Sequence, residues 1–431
     1  MDAEPWARRT FLTATGGVAL AGWAALAEQK AAFAAESAGS RAEWDGRPQV
    51  FAVNREPARA RLIPYRDAAA ARRGAERKSP YFRSLNGDWR FHWSENPDER
   101  SAGFHRPDYD VSGWETIPVP ANWEIEGYRE PIYLNIKYPW IGYEQPEPPQ
   151  VPHSFNPVGS YRRTFRVPAD WRERRTLLSF QGVKSAFFVW VNGERVGYSE
   201  DSYTPAEFDV SDHLRDGENT LAVEVYRWSD GSWLEDQDMI DLSGIFREVY
   251  LYAVPRVHLD DVEVRTAFDD SRRDAALTVH ARLRNSTGDA AGEYRLTAAL
   301  YDADGGPVDA GSLTGSVTPP AAGTAETALH GTVHEPARWS AEHPALYTLV
   351  LTVHEPGGRT TEAHRVRFGF REVVCGPGKL EINGKPIVFA GTNRHATDPE
   401  HGQAVPEETM LRDIRIMKQH NVNAVRTSHY P

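Results

Sequence analysis

The 431-residue sequence predicts a mainly β, multidomain chain: a jelly roll or related β-sandwich, an immunoglobulin-like sandwich, and then a βαβ unit. Three observations predict it. Strand-length apolar runs alternate with turn signals from Tyr81 to about Val254, with no long helical period. A second series of alternating runs opens at Pro255. Residues 372–431 then change period, from strand to helix and back.

In the first β segment "AFFVWVNGERVGYS" is the clearest element. Phe187, Val189 and Val191 alternate on one strand, and Val196 and Tyr198 lie on the return strand. Asn192-Gly193 between them fits a two-residue hairpin turn, where both positions take positive φ. "NTLAVEVYRW" alternates likewise at Leu221, Val223 and Val225. "YEQPEPPQVPHSFNP" interrupts the pattern; its prolines force an extended, stiff path, as in a functional loop or a docking arm. Residues 35–80 ahead of this segment read as linker, with a short helix near Asp67 to Arg77.

The second β segment alternates at Leu277, Val279, Ala281 and Leu283, and again at Tyr347, Leu349, Leu351 and Val353. Its length fits one immunoglobulin-like sandwich, and nothing in it suggests chemistry. In the third, "KPIVFAG" reads as a short buried strand and "PEETMLRDIRIMKQH" as a helix. Pro406 fits the first turn, and Met410, Ile414 and Met417 form an apolar stripe. "VNAV" follows as a second strand. Strand, helix, strand implies a parallel pair with one shared C-terminal edge.

That edge collects polar groups. The first strand runs into Asn393, Arg394 and His395, and the second into Arg426, Ser428 and His429. In α/β barrels this edge carries the active site; helix caps and loop polarity are the plainer reading. A second candidate is "RWSDGSWLEDQDMIDLSG", which packs Asp230, Glu235, Asp236, Asp238 and Asp241 around two tryptophans. Carboxylates this dense either bind a hard cation or face water. They lie on a sandwich loop, so they suit binding better than the acid and nucleophile of a glycosidase.

Composition narrows the class further. A formal charge of −12 argues against nucleic acid or an anionic membrane as partner. The 13 Trp and 17 Tyr fit either core packing or sugar-binding faces. The single cysteine, Cys375, excludes an intramolecular disulfide. At the N-terminus, Arg8-Arg9 leads into a mild Ala/Gly-rich apolar stretch and then Ala32-Phe33-Ala34. This looks like a twin-arginine signal over 1–34, too short and mild for a membrane span, and predicts export with cleavage after Ala34.

Five stretches carry a resemblance to glycoside hydrolase family 2, and within it to the β-galactosidases. They are "GWETIPVPANWEIEGY", "RWSDGSWLEDQDMIDLSGIFREVYL", "RWSAEHPALYTL", "RFGFREV" and "GTNRHATDPEHGQAVPEETMLRDIRIMKQHNVNAVRTSHYP". The resemblance spans roughly residues 80–431. It implies a galactose-binding-like jelly roll over 81–254, an immunoglobulin-like sandwich over 255–371, and the start of a TIM barrel over 372–431.

Carried over by residue, it implies that His395 and His429 contact the galactosyl group and that Arg426 orients the nucleophile. Asp230 would hold the sugar, partly through a bound sodium ion, and Asn135 would sit on an arm that closes over it. The implied chemistry is retaining hydrolysis of terminal β-D-galactosides. The two catalytic glutamates, and ligands of an active-site magnesium ion, are expected beyond Pro431, so these residues alone are expected to be inactive. Partners beyond the galactoside are not implied, save a homo-oligomer of the full-length enzyme. A secreted carbohydrate-binding protein without catalysis, and another family 2 activity (β-glucuronidase or β-mannosidase), are the alternatives.

Overall fold

A computed structural model describes residues 43–430; the expected leader at 1–34 and the first residues of the expected linker lie outside them. The first β segment forms two facing antiparallel sheets. The larger has seven strands in the order 52–53, 194–199, 186–191, 218–226, 158–166, 87–94, 115–119. The smaller has four, in the order 206–209, 175–180, 249–254, 82–84. Their inner faces bury Trp89, Phe91, Phe180, Phe187, Val189, Val223 and Leu251 as one core.

The Asn192-Gly193 turn forms as its sequence dictates. Asn192 takes φ 54° and Gly193 φ 89° between strands Ala186–Val191 and Glu194–Ser199. Asn192 does more than tolerate the turn. Its side-chain amide donates to the His213 carbonyl and to Asn219 Oδ1, and its Oδ1 accepts the Thr220 N–H. The turn is thereby tied to the neighbouring strand.

Gly159, on strand Val158–Arg166, answers a packing need. A Cβ there would lie 2.4 Å from Trp123 Cζ3 and 2.9 Å from Phe91 Cε2, both buried rings. Gly159→Ala is therefore expected to destabilise the jelly roll by about 1–3 kcal/mol through overpacking. A lowered thermal midpoint with an unchanged far-ultraviolet spectrum is the check.

The second segment is a sandwich of a three-stranded sheet (257–268, 275–285, 324–333) on a sheet built around strands 294–301, 347–354 and 360–368. Leu277, Val279, Ala281 and Leu283 are all buried, as are Tyr347, Leu349, Leu351 and Val353, so both alternations point at the core as predicted.

Residues 43–80 are more than a linker. Ala52–Val53 adds an edge strand to the seven-stranded sheet, and Trp44, Ile63, Tyr65 and Ala71 are buried. Arg59 pairs with Glu207 of the jelly roll at 2.6 Å and with Asp260 of the next sandwich at 3.1 Å. The expected helix is short, Ala68–Arg73, capped by the Asp67 side chain on the Ala70 N–H.

The third segment holds a parallel pair, Gly391–Arg394 with Ala424–Thr427, joined through helix Glu407–Gln419. Pro406 is the N-cap, not a first-turn residue. The first strand lies later than "KPIVFAG" suggests, and Val388 and Phe389 within that run are 84% and 64% exposed. A parallel strand is buried only when layers cover both faces; a two-stranded sheet with one helix does not supply them. The helix stripe is open for the same reason, with Met410 and Ile414 both exposed.

Candidate sugar-binding site

The parallel pair sorts its polar residues by face. Asn393 pairs in register with Arg426, and Arg394 with Thr427. Arg394 turns to the helix, where its guanidinium meets Asp413 at 2.8 and 2.9 Å. Side chains alternate along a strand, so Asn393 and Arg426 take the face away from the helix, the interior face in a barrel. Arg426 is exposed there. Of the two polar clusters, Arg394 thus has a structural role, and so does Ser428, which is buried with its N–H on the Arg394 carbonyl at 3.0 Å.

His395 and His429 follow their strands and meet edge to face, with ring centroids 5.4 Å apart. Both are half-buried. His395 Nδ1 is buried with no hydrogen-bond partner among the described residues. The edge is anchored to the jelly roll. Tyr430 stacks on Tyr203 at 4.3 Å and packs with Met239 and Phe246, while its hydroxyl accepts the Ala396 N–H at 3.1 Å. The connecting loop docks too: the Gln403 N–H donates to Asn122 Oδ1 at 2.7 Å.

The acidic loop approaches from the jelly-roll side, and most of its carboxylates are partnered within the protein, while Asp238 is exposed. Asp241 forms a buried ion pair with Lys184 at 2.7 Å. Burial alone would lower the Lys184 ammonium; the Asp241 carboxylate, with Tyr203 and Glu235, together offset this and hold it above its ordinary value. Glu235 accepts from the Ser202 N–H and hydroxyl. Asp238 accepts from the Tyr133 hydroxyl at 2.7 Å. Burial pushes the Asp236 carboxyl up to about 6.

Asp230 is 3% exposed, with Oδ2 accepting the Arg47 N–H at 2.6 Å. Asn135 is exposed on a neighbouring arm. That arm is laced to the acidic loop by Tyr133 on Asp238, by Ile132 bridging Asp241, and by the Tyr138 hydroxyl on the Trp233 carbonyl. The Pro-rich stretch lies against the same loop, with Trp233 Nε1 donating to the Gln150 carbonyl at 2.8 Å. The structure thus ties Asn135's arm to Asp230's loop, and brings His395 and His429 together at the strand edge.

Several residues around the site escape a sequence reading. Glu124 and Arg227 are both fully buried and meet at 3.2 Å, with the Arg227 guanidinium over the Trp228 ring. Burial pushes the Glu124 carboxyl up to about 7, against the pull of Arg227. Tyr203, Lys184 and Glu200 likewise belong to the foundation. For Lys184, Glu200 and Arg227 the one sequence signal is a charged residue at or just past the end of a strand.

The residues present do not amount to a metal site. Among the described residues no group of three or more His, Cys, Asp or Glu is placed to hold an ion. Asp230 offers one oxygen without a donor, Oδ1, and it is buried. Neither sodium nor magnesium enters the chemistry below.

A jelly roll, an immunoglobulin-like sandwich and an opening βαβ unit, with polar groups at its C-terminal edge, make a multidomain architecture in which two β domains precede an α/β one. Comparison with known proteins names the family. Three models of glycosyl hydrolases family 2 match consecutively: the sugar binding domain at 82–255, a second family 2 domain at 257–371, and the TIM barrel domain at 374–431. The chain belongs to glycoside hydrolase family 2.

A β-galactosidase of Priestia megaterium is 46% identical over 90% of this chain and 38% of its own length. One of Halalkalibacterium halodurans is 42% identical over 91% and 38%. The chain thus spans under two-fifths of these relatives. The crystal structure of Bacteroides uniformis β-glucuronidase matches 81% of this chain and 39% of its own, with TM-score 0.67 and 25% identity. A Bacteroides vulgatus β-glycosidase shares the fold at TM-score 0.65 and 24% identity.

Proposed function

We propose that these residues form the sugar-binding end of a retaining β-galactosidase. Joined to a complete family barrel, they serve hydrolysis of terminal β-D-galactosides through a covalent glycosyl-enzyme. The observation that carries the reading is 46% identity to a β-galactosidase over nine-tenths of the chain. The glucuronidase likeness reaches only 25% and supports the fold more than the substrate.

In this reading His395 and His429 grip the galactosyl group and stabilise developing charge, an electrostatic role suited to donors held at a strand edge. Arg426 faces the interior and orients the nucleophile. Asn135 closes from its arm, and Asp230 holds the sugar from below. Export through the Arg8-Arg9 signal belongs to the same proposal, and recovery of the protein in the medium with a new N-terminus at Ala35 tests it.

The 431-residue chain alone is expected to release no nitrophenol from p-nitrophenyl β-D-galactoside, because binding groups cannot replace an acid and a nucleophile. Joined to a complete barrel, it is expected to favour the β-galactoside over the β-glucuronide and β-mannoside by about 100-fold or more, as a site built to bond one sugar's hydroxyls rejects analogues that leave its polar groups unpaired. A preference for the glucuronide or the mannoside would overturn the substrate assignment. Binding without turnover by the joined protein would favour a carbohydrate-binding protein.

A further inference from the structure

The arm that carries Asn135 has little core of its own. Tyr133, Leu134 and Ile136 are all exposed. What holds the arm is the acidic loop. At one end the two segments bond backbone to backbone. The Asp241 N–H donates to the Ile132 carbonyl at 2.7 Å, and the Ile132 N–H donates to the Asp241 carbonyl at 3.4 Å. At the other end the Tyr138 ring meets Trp233 edge to face at 4.4 Å, and its hydroxyl donates to the Trp233 carbonyl at 3.3 Å. Residues 133–137 span the gap between these tethers. Asn135 follows Ile132 closely enough to lie within about 11 Å of the Asp241 bridge, whatever path the arm takes.

The Asp241 end is fixed from inside the jelly roll. Lys184 and Asp241 are both buried, and Lys184 Nζ stands 2.7 Å from Asp241 Oδ1. The Lys184 backbone is itself braced. It lies opposite Gly244 where Val183–Lys184 pairs with Gly244–Ile245, and the Ser185 N–H next to it donates to the Tyr226 carbonyl at 2.9 Å. The strand that braces Lys184 therefore starts just after Asp241. An enclosed carboxylate keeps its place only while its cation does, because an unpaired buried charge is strongly destabilising.

Contacts thus run from Lys184 to the Asp241 carboxylate, through the Asp241 backbone to Ile132, and along the arm to Asn135. We infer that Lys184 is a positioning residue: it holds the Asp241 carboxylate inside the jelly roll and so fixes the point from which the Asn135 arm starts. Its ammonium is buried against Asp241, so it acts through the arm and not on a sugar. The consequence for the sugar rests on the reading of Asn135 as a sugar contact; the anchoring of the arm does not. The Tyr138 tether is ring packing and a neutral hydrogen bond, so charge matters at the Asp241 end alone.

Hydrogen exchange in the 431-residue chain tests the anchor. Lys184→Met leaves the Asp241 carboxylate without its cation, and the carboxylate turns toward water and draws Asp241 off Ile132. Exchange at the Asp241 and Ile132 amides is expected to rise about 30-fold by this local opening. The Ala121 amide, bonded to the Ile245 carbonyl at 2.9 Å, reads the neighbouring strand. It is expected to stay within about twofold of wild type, as the opening is confined to the arm.

Lys184→Met combined with Asp241→Asn separates anchoring from charge burial. It removes the stranded charge, so the thermal midpoint is expected to return toward wild type. It supplies no link to the arm, so the two amides are expected to stay at least about tenfold faster than wild type. Wild-type exchange at both amides in Lys184→Met, an equal rise at Ala121, or full protection in the double variant would each overturn the inference.

The consequence for the sugar is read in the protein joined to a complete barrel. Lys184→Met is expected to raise KM for p-nitrophenyl β-D-galactoside about tenfold with kcat within about twofold, the mark of binding lost equally from ground and transition states. Asn135→Ala is expected to do the same, and the two together no more than either alone, because they act in series. A raised KM in Asn135→Ala beside an unchanged one in Lys184→Met overturns the inference. An unchanged KM in Asn135→Ala overturns the sugar-contact reading and leaves the exchange rates to decide the anchor.

Discussion

Arg227→Met is expected to destabilise the jelly roll by about 3–5 kcal/mol, because it strands a buried carboxylate without its cation. Arg227 and Glu124 are both 0% exposed at the side chain. Glu124 keeps two donors, Trp123 Nε1 at 2.6 Å and the Ser243 N–H at 2.8 Å, but these do not cancel its charge. The loss has a pH signature. Burial already raises Glu124 to about 7, and Arg227 opposes that rise. Without Arg227 the carboxyl moves higher still.

A carboxyl raised on folding contributes most below its unfolded value and loses that contribution as pH rises toward its folded value. The variant is therefore expected to lose most at pH 8.5 and to regain part of the loss near pH 5. Denaturant titrations at the two pH values check this. Glu124→Gln in the Arg227→Met background should recover stability, since it removes the stranded charge and keeps an acceptor for Trp123.

Tyr430→Ala carries the second large effect, on docking. Tyr430 supplies the stacked partner of Tyr203, the packing against Met239 and Phe246, and the acceptor for the Ala396 N–H. Truncating a buried aromatic costs about 3–5 kcal/mol. Here that cost falls on the joint between the parallel pair and the jelly roll. Exchange at the Ala396 and Ser428 amides is expected to rise about 100-fold, which corresponds to nearly 3 kcal/mol at 1.4 kcal/mol per decade. The jelly-roll transition should stay where it is.

The two sandwiches were legible because one face of each strand meets a core. The alternation through Leu277 and Leu283 needs no knowledge of its partner strands. Asn192-Gly193 was legible for a local reason, since positive φ at both positions is a property of the turn itself. The parallel strand was misplaced toward Val388 and Phe389 because apolarity suggested it; pairing with Ala424–Thr427 settles its place instead.

The acidic loop shows most clearly what one dimension hides. Its carboxylates look like a cluster, yet Asp230, Glu235, Asp238 and Asp241 each answer to a partner elsewhere. Asp230 takes an amide 183 residues away and Glu235 a serine 33 residues away. The same holds for residues 43–80, read as linker. Trp44, Arg47 and Arg59 make contacts that span both β domains and leave no local period to detect. At the strand edge, the convergence of His395 and His429 follows from two parallel strands alone. That Arg394 serves the helix became visible only with Asp413 beside it.

The central claim is that sugar chemistry takes place where His395 and His429 converge, 5.4 Å apart, at the C-terminal edge of the parallel pair. The most direct measurement is kcat/KM for p-nitrophenyl β-D-galactoside with His395→Ala and His429→Ala, in the protein that joins these residues to a complete barrel. Each variant is expected to fall about 100-fold or more, the scale of losing a donor aimed at developing charge. Values within about threefold of wild type for both would contradict the claim.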